Sequence, residues 1–170
     1  EIYTLSLHDA LPIYETNRVD LDLHANSISR SIGWNSNFRN DEVLYSGDIV
    51  DAPIKDGGAS EALLFRDVES PYLVTLNSFN QAGVVPYKFI FDVEEGFKSA
   101  GAEGWERRKP NGYIFTPNAR VLNATIKKDG SQNSLGLVMN NKFYFLNSSL
   151  FSGSITRNND LLKRAIKYYE

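Results

Sequence analysis

Short stretches in which apolar and polar side chains alternate recur along most of the chain, and turn-forming residues separate them. Alternation with a period of two is the pattern of a β-strand with one buried face. In residues 18–24, Leu21 and Leu23 share one face, whereas Asp20, Asp22 and His24 share the other. Strands are predicted at residues 18–24, 61–66, 72–76, 87–91, 113–115, 121–126, 135–139 and 143–146. Residues 26–41 are predicted to form a long loop, and residues 43–45 form a short apolar run.

The end of the chain follows a different pattern. Asn140 and Asn141 suit a two-residue hairpin turn between the last two predicted strands. From Asn158 onward apolar residues recur at helical spacing, at Leu162, Ala165, Ile166 and Tyr169. Many short strands followed by one helix predict a mostly β protein, an antiparallel β-sandwich with a C-terminal α-helix. Periodicity alone leaves an open barrel as the alternative.

The composition mainly excludes certain classes of protein and kinds of site. The 170 residues suit one domain, and a net charge of −3 gives no indication of a nucleic-acid partner. No run of about 20 apolar residues predicts a transmembrane segment. The chain has no cysteine, which excludes disulfides and thiolate metal sites and is compatible with the cytoplasmic location that we expect.

The motifs of common catalytic sites are missing from the sequence. No glycine-rich phosphate loop, HExxH or GxSxG motif occurs. Outside residues 1–13, His24 is the one histidine, and we interpret it as a surface or rim residue. We therefore expect a binding module and no enzyme, and we keep a hydrolase with a carboxylate pair as a less favoured hypothesis.

The first thirteen residues read EIYTLSLHDALPI and resemble the translated read-through of a common sequencing adapter. We therefore interpret residues 1–13 as an artefact and set them aside in predicting the fold. The remaining chain is expected to be a fragment of a longer protein. Its β-sandwich domain is predicted to span residues 14–157, followed by a truncated helix at 158–170.

Two segments concentrate carboxylates. Asp20 and Asp22 share a strand face, where alternate residues lie about 6.6 Å apart. Asp48 and Asp51 lie three residues apart in a turn-rich segment, in which Gly47 permits a tight path. Calcium takes six to eight oxygen ligands in flexible geometry, so the two segments together could supply a calcium site. Exposed strand carboxylates and turn caps are the other interpretation, and spacing leaves it open.

The same segments carry a resemblance to a known family. RVDLDLHA at 18–25, LYSGDIVDAP at 44–53 and GGASEALLF at 57–65 resemble TerD-like domains of the tellurium-resistance and stress-response family. Four later segments are similar, in the same order, to a diverged branch of that family found in larger bacterial proteins. They are GWER at 104–107, YIF at 113–115, LGLVMNNKFYFLN at 135–147 and DLLKRAIKYY at 160–169.

The resemblance implies a β-sandwich that binds calcium through Asp20, Asp22 and Asp48, with Asp51 and Glu61 as further candidate ligands. A longer acidic run before the strand at 61–66 in TerD is missing here, which implies that one of two metal sites is lost. We thus expect a calcium-binding interaction or scaffold module, whose partners are proteins or other domains of the parent chain. The alternative is a metal-free structural or protein-interaction β-sandwich domain in which the carboxylates only form hydrogen bonds with the backbone.

Overall fold

Eleven strands and one helix are formed by the residues that the structure, a computed structural model, describes: 2–8, 20–48, 60–79, 84–94, 115–127, 131–146, 153–154 and 158–170. The strands are β1 (Ile2–His8), β2 (Asp20–Asn26), β3 (Ser31–Gly33), β4 (Val43–Tyr45), β5 (Ser60–Arg66), β6 (Tyr72–Phe79), β7 (Val84–Glu94), β8 (Arg120–Lys127), β9 (Ser131–Met139), β10 (Lys142–Phe145) and β11 (Gly153–Ser154). The helix α1 spans Asn158–Tyr169.

The strands form two antiparallel sheets packed face to face. The first sheet has the order β4-β5-β1-β7-β8, and the second has the order β10-β9-β6-β2-β3, with β11 paired to β9. One apolar cluster takes buried side chains from both sheets, among them Leu23 and Val74 from the second and Leu63 and Phe89 from the first. The predicted antiparallel β-sandwich is therefore confirmed.

Strand β1 lies inside the first sheet, between β5 and β7. It pairs along all seven residues with both neighbours, so that Thr4 lies opposite Leu64 on one side and Asp92 on the other. Residues 1–13 are predicted to be an artefact outside the fold, whereas the structure includes Ile2–His8 in the sheet. The origin of this segment in a sequencing adapter stays a prediction.

The hairpin between β9 and β10 follows from its two turn residues. Asn140 and Asn141 have φ angles of 52° and 53°, and Met139 pairs directly with Lys142. A two-residue turn of this hand needs positive φ at both positions, and asparagine tolerates it better than most residues. The predicted hairpin is confirmed.

Helix α1 covers the outer face of the second sheet. Its Leu161, Leu162 and Ala165 are buried against Leu73 of β6 and Leu137 of β9. The predicted helix is confirmed, and the apolar positions that indicated it make this contact. No helix among the described residues is long and apolar enough to cross a membrane.

Candidate metal centre

The candidate site lies at the side of the sandwich where β2 of one sheet meets β5 of the other. Strand β3 pairs with β2 over His24–Asn26, so it does not extend along the first half of β2. There the backbone N–H of Leu23 donates a hydrogen bond of 2.9 Å to Oε2 of Glu61 in β5. Glu61 thus connects the two sheets through its carboxylate.

The segment after β4 brings a second carboxylate to this place. The backbone N–H of Ser46 donates to the carbonyl of Ala62 at 2.9 Å, and the N–H of Ala62 donates to Oγ of Ser46 at 2.8 Å. Gly47 then has a φ angle of 107°, a conformation that side chains disfavour. This turn places Asp48 beside Glu61.

Three carboxylates converge at the site. Asp22, Asp48 and Glu61 each offer an oxygen atom, and these oxygens all lie within 4.8 Å of one another. Asp22 and Glu61 are only 2% and 3% exposed, whereas Asp48 is exposed to solvent. Ligands bound 2.3–2.6 Å from one calcium ion must lie within about 5 Å of each other, so the arrangement fits a divalent cation with oxygen ligands.

The two buried carboxylates, Asp22 and Glu61, have polar neighbours in Asn77 and Tyr45. The side-chain amide of Asn77, which lies opposite Asp22 in β6, donates to Oδ2 of Asp22 at 3.3 Å. Burial, and next the negative charge of Glu61, raise the pKa of the Tyr45 hydroxyl above its ordinary value. Gathering like charges in a desolvated place costs free energy, and a bound cation would remove that cost.

The structure brings together three of the five ligands predicted from the sequence: Asp22, Asp48 and Glu61. Asp20 begins β2, opposite Phe79, and its role as a ligand stays a prediction. Asp51 lies outside the described residues.

Sequence reasoning missed Tyr45, which reaches the same cluster. Its position directly before the Ser-Gly-Asp turn was the available signal.

The prediction of His24 as a surface residue is wrong. His24 is only 6% exposed, its Nε2 lies 3.0 Å from Oδ1 of Asn35, and Trp34 packs edge-on against its ring. Desolvation by burial lowers its pKa, and the hydrogen bond with Asn35 partly opposes this shift. At His24 the polar face of β2 is therefore buried, because Trp34 and Asn35, which follow β3, contact this side chain.

Compared with protein-family models, with curated proteins and with solved structures, the chain matches none of them. The TerD-like resemblance therefore stays a prediction from the motifs quoted above.

Proposed function

We propose that this domain is a calcium-binding β-sandwich of TerD-like type that serves as an interaction or scaffold module. The observation that carries the proposal is the convergence of oxygens from Asp22, Asp48 and Glu61 within 4.8 Å. These three side chains come from a strand of each sheet and from the segment after β4. A cation held by them would join all three parts of the molecule.

The chemistry of the ligands favours calcium over a transition metal. The three grouped side chains offer carboxylate oxygen and no sulfur or imidazole nitrogen, and hard oxygen ligands suit calcium and magnesium. Calcium also accepts irregular geometry and six to eight oxygens. Three carboxylates supply three to six of them, and Asp20, Asp51, backbone carbonyls and water are the proposed sources of the others.

The biological setting that we propose follows from the resemblance alone. TerD-like domains are associated with tellurite resistance and stress response, and the branch in question occurs within larger bacterial proteins. A module that becomes rigid when calcium binds would present a stable surface to a protein partner or to another domain. We propose that role in preference to catalysis.

A metal-free structural domain is the second candidate, and two contacts favour it. Glu61 accepts a hydrogen bond from the backbone N–H of Leu23, and Asp22 accepts one from the side-chain amide of Asn77. Buried carboxylates that only hold such donors need no cation.

Thermal unfolding with calcium and with a chelator separates the two candidates. At calcium concentrations 100 times the dissociation constant, binding should stabilise the folded state by about 2.7 kcal/mol. For a chain of this size the melting temperature should rise by roughly 5–10 °C. No shift at millimolar calcium would favour the metal-free candidate.

Matched variants show whether the assigned residues hold the ion. Asp22→Asn and Asp48→Asn should each abolish most of the calcium-dependent shift, because each replaces a charged ligand by a neutral one. The control is Asp67→Asn, which removes one charge from an exposed carboxylate elsewhere and should keep the full shift. A full shift in the Asp22 and Asp48 variants would mean that calcium binds elsewhere.

A further inference from the structure

Tyr45 ends strand β4 and points into the sandwich. It pairs with Leu63 of β5, and both side chains belong to the buried cluster between the sheets. Glu61 lies two residues before Leu63 on the same face of β5, since alternate residues of a strand share a face. The backbone geometry thus sets the Tyr45 ring diagonally beside the Glu61 carboxylate.

Among the residues that the structure describes, the hydroxyl of Tyr45 has no well-formed hydrogen bond, although the residue is only 5% exposed. Glu61 is its neighbouring acceptor. Burial first, and then the charge and the hydrogen-bonding contact of that carboxylate, raise the pKa of Tyr45. In contrast, the hydroxyl of Tyr72 donates to Oε2 of Glu42 at 2.6 Å. Buried polar groups are paired in the great majority of native structures, so an unpaired phenol beside three carboxylates needs an explanation.

We propose that the Tyr45 hydroxyl is a neutral oxygen of the cation site, where it binds the ion or a water molecule that the ion holds. This inference rests on the proposed function, because it requires a cation between Asp22, Asp48 and Glu61. It explains why a hydroxyl lies at the end of an otherwise apolar strand, where phenylalanine would fill the same volume.

The electrostatics of the site support a neutral ligand. A tyrosine hydroxyl ordinarily titrates near pH 10, so tyrosine offers a protonated oxygen at neutral pH. A protonated phenol adds an oxygen to the site without adding a fourth negative charge to a crowded cluster. The edge-on contact with Phe38, at 5.5 Å between ring centroids, holds the Tyr45 ring in place.

Calorimetric titration of the full chain with calcium tests this role. Tyr45→Phe should bind calcium about tenfold more weakly than the unaltered chain, because it removes one oxygen that contacts the ion or its bound water. The matched control is Tyr87→Phe, which removes the hydroxyl of another buried tyrosine, beside Asn133, and should leave the affinity unchanged. Asp22→Asn should abolish binding under the proposed function.

Two further readouts separate a ligand from a packing residue. Added calcium should perturb the near-ultraviolet tyrosine spectrum of the unaltered chain and of Tyr87→Phe, and the perturbation should be largely lost in Tyr45→Phe. In chelator, Tyr45→Phe should melt at the same temperature as the unaltered chain or higher, because it removes an unpaired buried hydroxyl.

Equal or tighter calcium binding by Tyr45→Phe would overturn the inference while leaving the proposed function intact. Loss of cooperative melting by this variant in chelator would also overturn it, since the hydroxyl would then support the metal-free fold. No calcium binding by the unaltered chain would overturn the proposed function, and the role of Tyr45 with it.

Discussion

Among the residues that the structure describes, acidic side chains are buried at two places in the sandwich, and they are buried in different ways. Asp92 of β7 is 2% exposed, and hydrogen-bond donors surround its carboxylate. Its carboxylate accepts from the backbone N–H of Thr116 at 2.6 Å, from the hydroxyl of Thr116 at 2.7 Å and from the N–H of Val93 at 2.9 Å. At the candidate metal centre, by contrast, three carboxylates face one another.

The difference distinguishes a structural carboxylate from a candidate ligand. Donors around Asp92 stabilise its negative charge and fasten the turn that contains Thr116 to the first sheet. Asp22 and Glu61 also accept hydrogen bonds, from Asn77 and Leu23, but their oxygens and one from Asp48 still converge. Convergence of like charges, and not burial alone, is what points to a cation.

The largest effect is expected from Asp92→Ala. It leaves the N–H and hydroxyl of Thr116 without their buried acceptor, and we expect a loss of about 3 kcal/mol in the free energy of unfolding. The loss should be the same with calcium and with chelator, as measured by urea denaturation. If Asp92→Ala lost stability only in calcium, Asp92 would also contribute to calcium binding, and the distinction between a structural carboxylate and a ligand would be wrong.

A smaller effect on the free energy of unfolding is expected from Glu61→Gln, and its sign should differ between chelator and calcium. In chelator the variant should be at least as stable as the unaltered chain, because it removes one of three converging charges while Gln can still accept from Leu23. In calcium it should be less stable by about 1–2 kcal/mol, because a charged ligand is lost.

Urea denaturation in both conditions checks the sign for Glu61→Gln. Destabilisation in chelator as well as in calcium would indicate that Glu61 acts as Asp92 does, as an acceptor for backbone donors. The metal-free candidate predicts that result.

The smallest change in stability is expected at Tyr72, whose hydroxyl donates to Glu42. Glu42 is, like Asp92, a carboxylate with a structural role. Burial, and next the hydrogen bond to Glu42, raise the pKa of Tyr72 to about 12, whereas an unfolded tyrosine titrates near 10. The folded state therefore holds this proton more tightly, so the stabilisation is complete below about pH 10 and is lost as the pH rises toward 12. Tyr72→Phe should cost about 1 kcal/mol at neutral pH, with or without calcium.

Denaturation between neutral pH and pH 11 measures this contribution. The unaltered chain should lose stability above pH 10 more steeply than Tyr72→Phe does. Parallel pH curves for the two proteins would show that the Tyr72–Glu42 pair does not stabilise the fold.

Local features of the sequence predicted much of the architecture. Alternation placed Leu21 and Leu23 in the core, two consecutive asparagines predicted a hairpin turn, and helical spacing predicted α1. In each case the determining residues lie within a few positions of one another, so the physical cause is local. Residues 26–41 were predicted as a loop, and β3 at Ser31–Gly33 was missed because a three-residue strand has too short a pattern. Of the strand predicted at 113–115, only Phe115 is among the described residues, and it is not part of a strand.

The site depended on contacts that no local pattern contains. Glu61 reaches Leu23 across 38 residues of sequence and from the opposite sheet. His24 was predicted to be a surface or rim residue because alternation reports which residues share a face and not what covers it. Tyr45 looked like part of an apolar run, and its hydroxyl gains meaning only beside Glu61.

A crystal structure grown in millimolar calcium tests the central claim most directly, with anomalous scattering used to identify the ion. The account predicts one calcium ion bonded to carboxylate oxygens of Asp22, Asp48 and Glu61, at 2.3–2.6 Å from each. Three carboxylates that contact only protein groups and water, with no ion among them under those conditions, would contradict it.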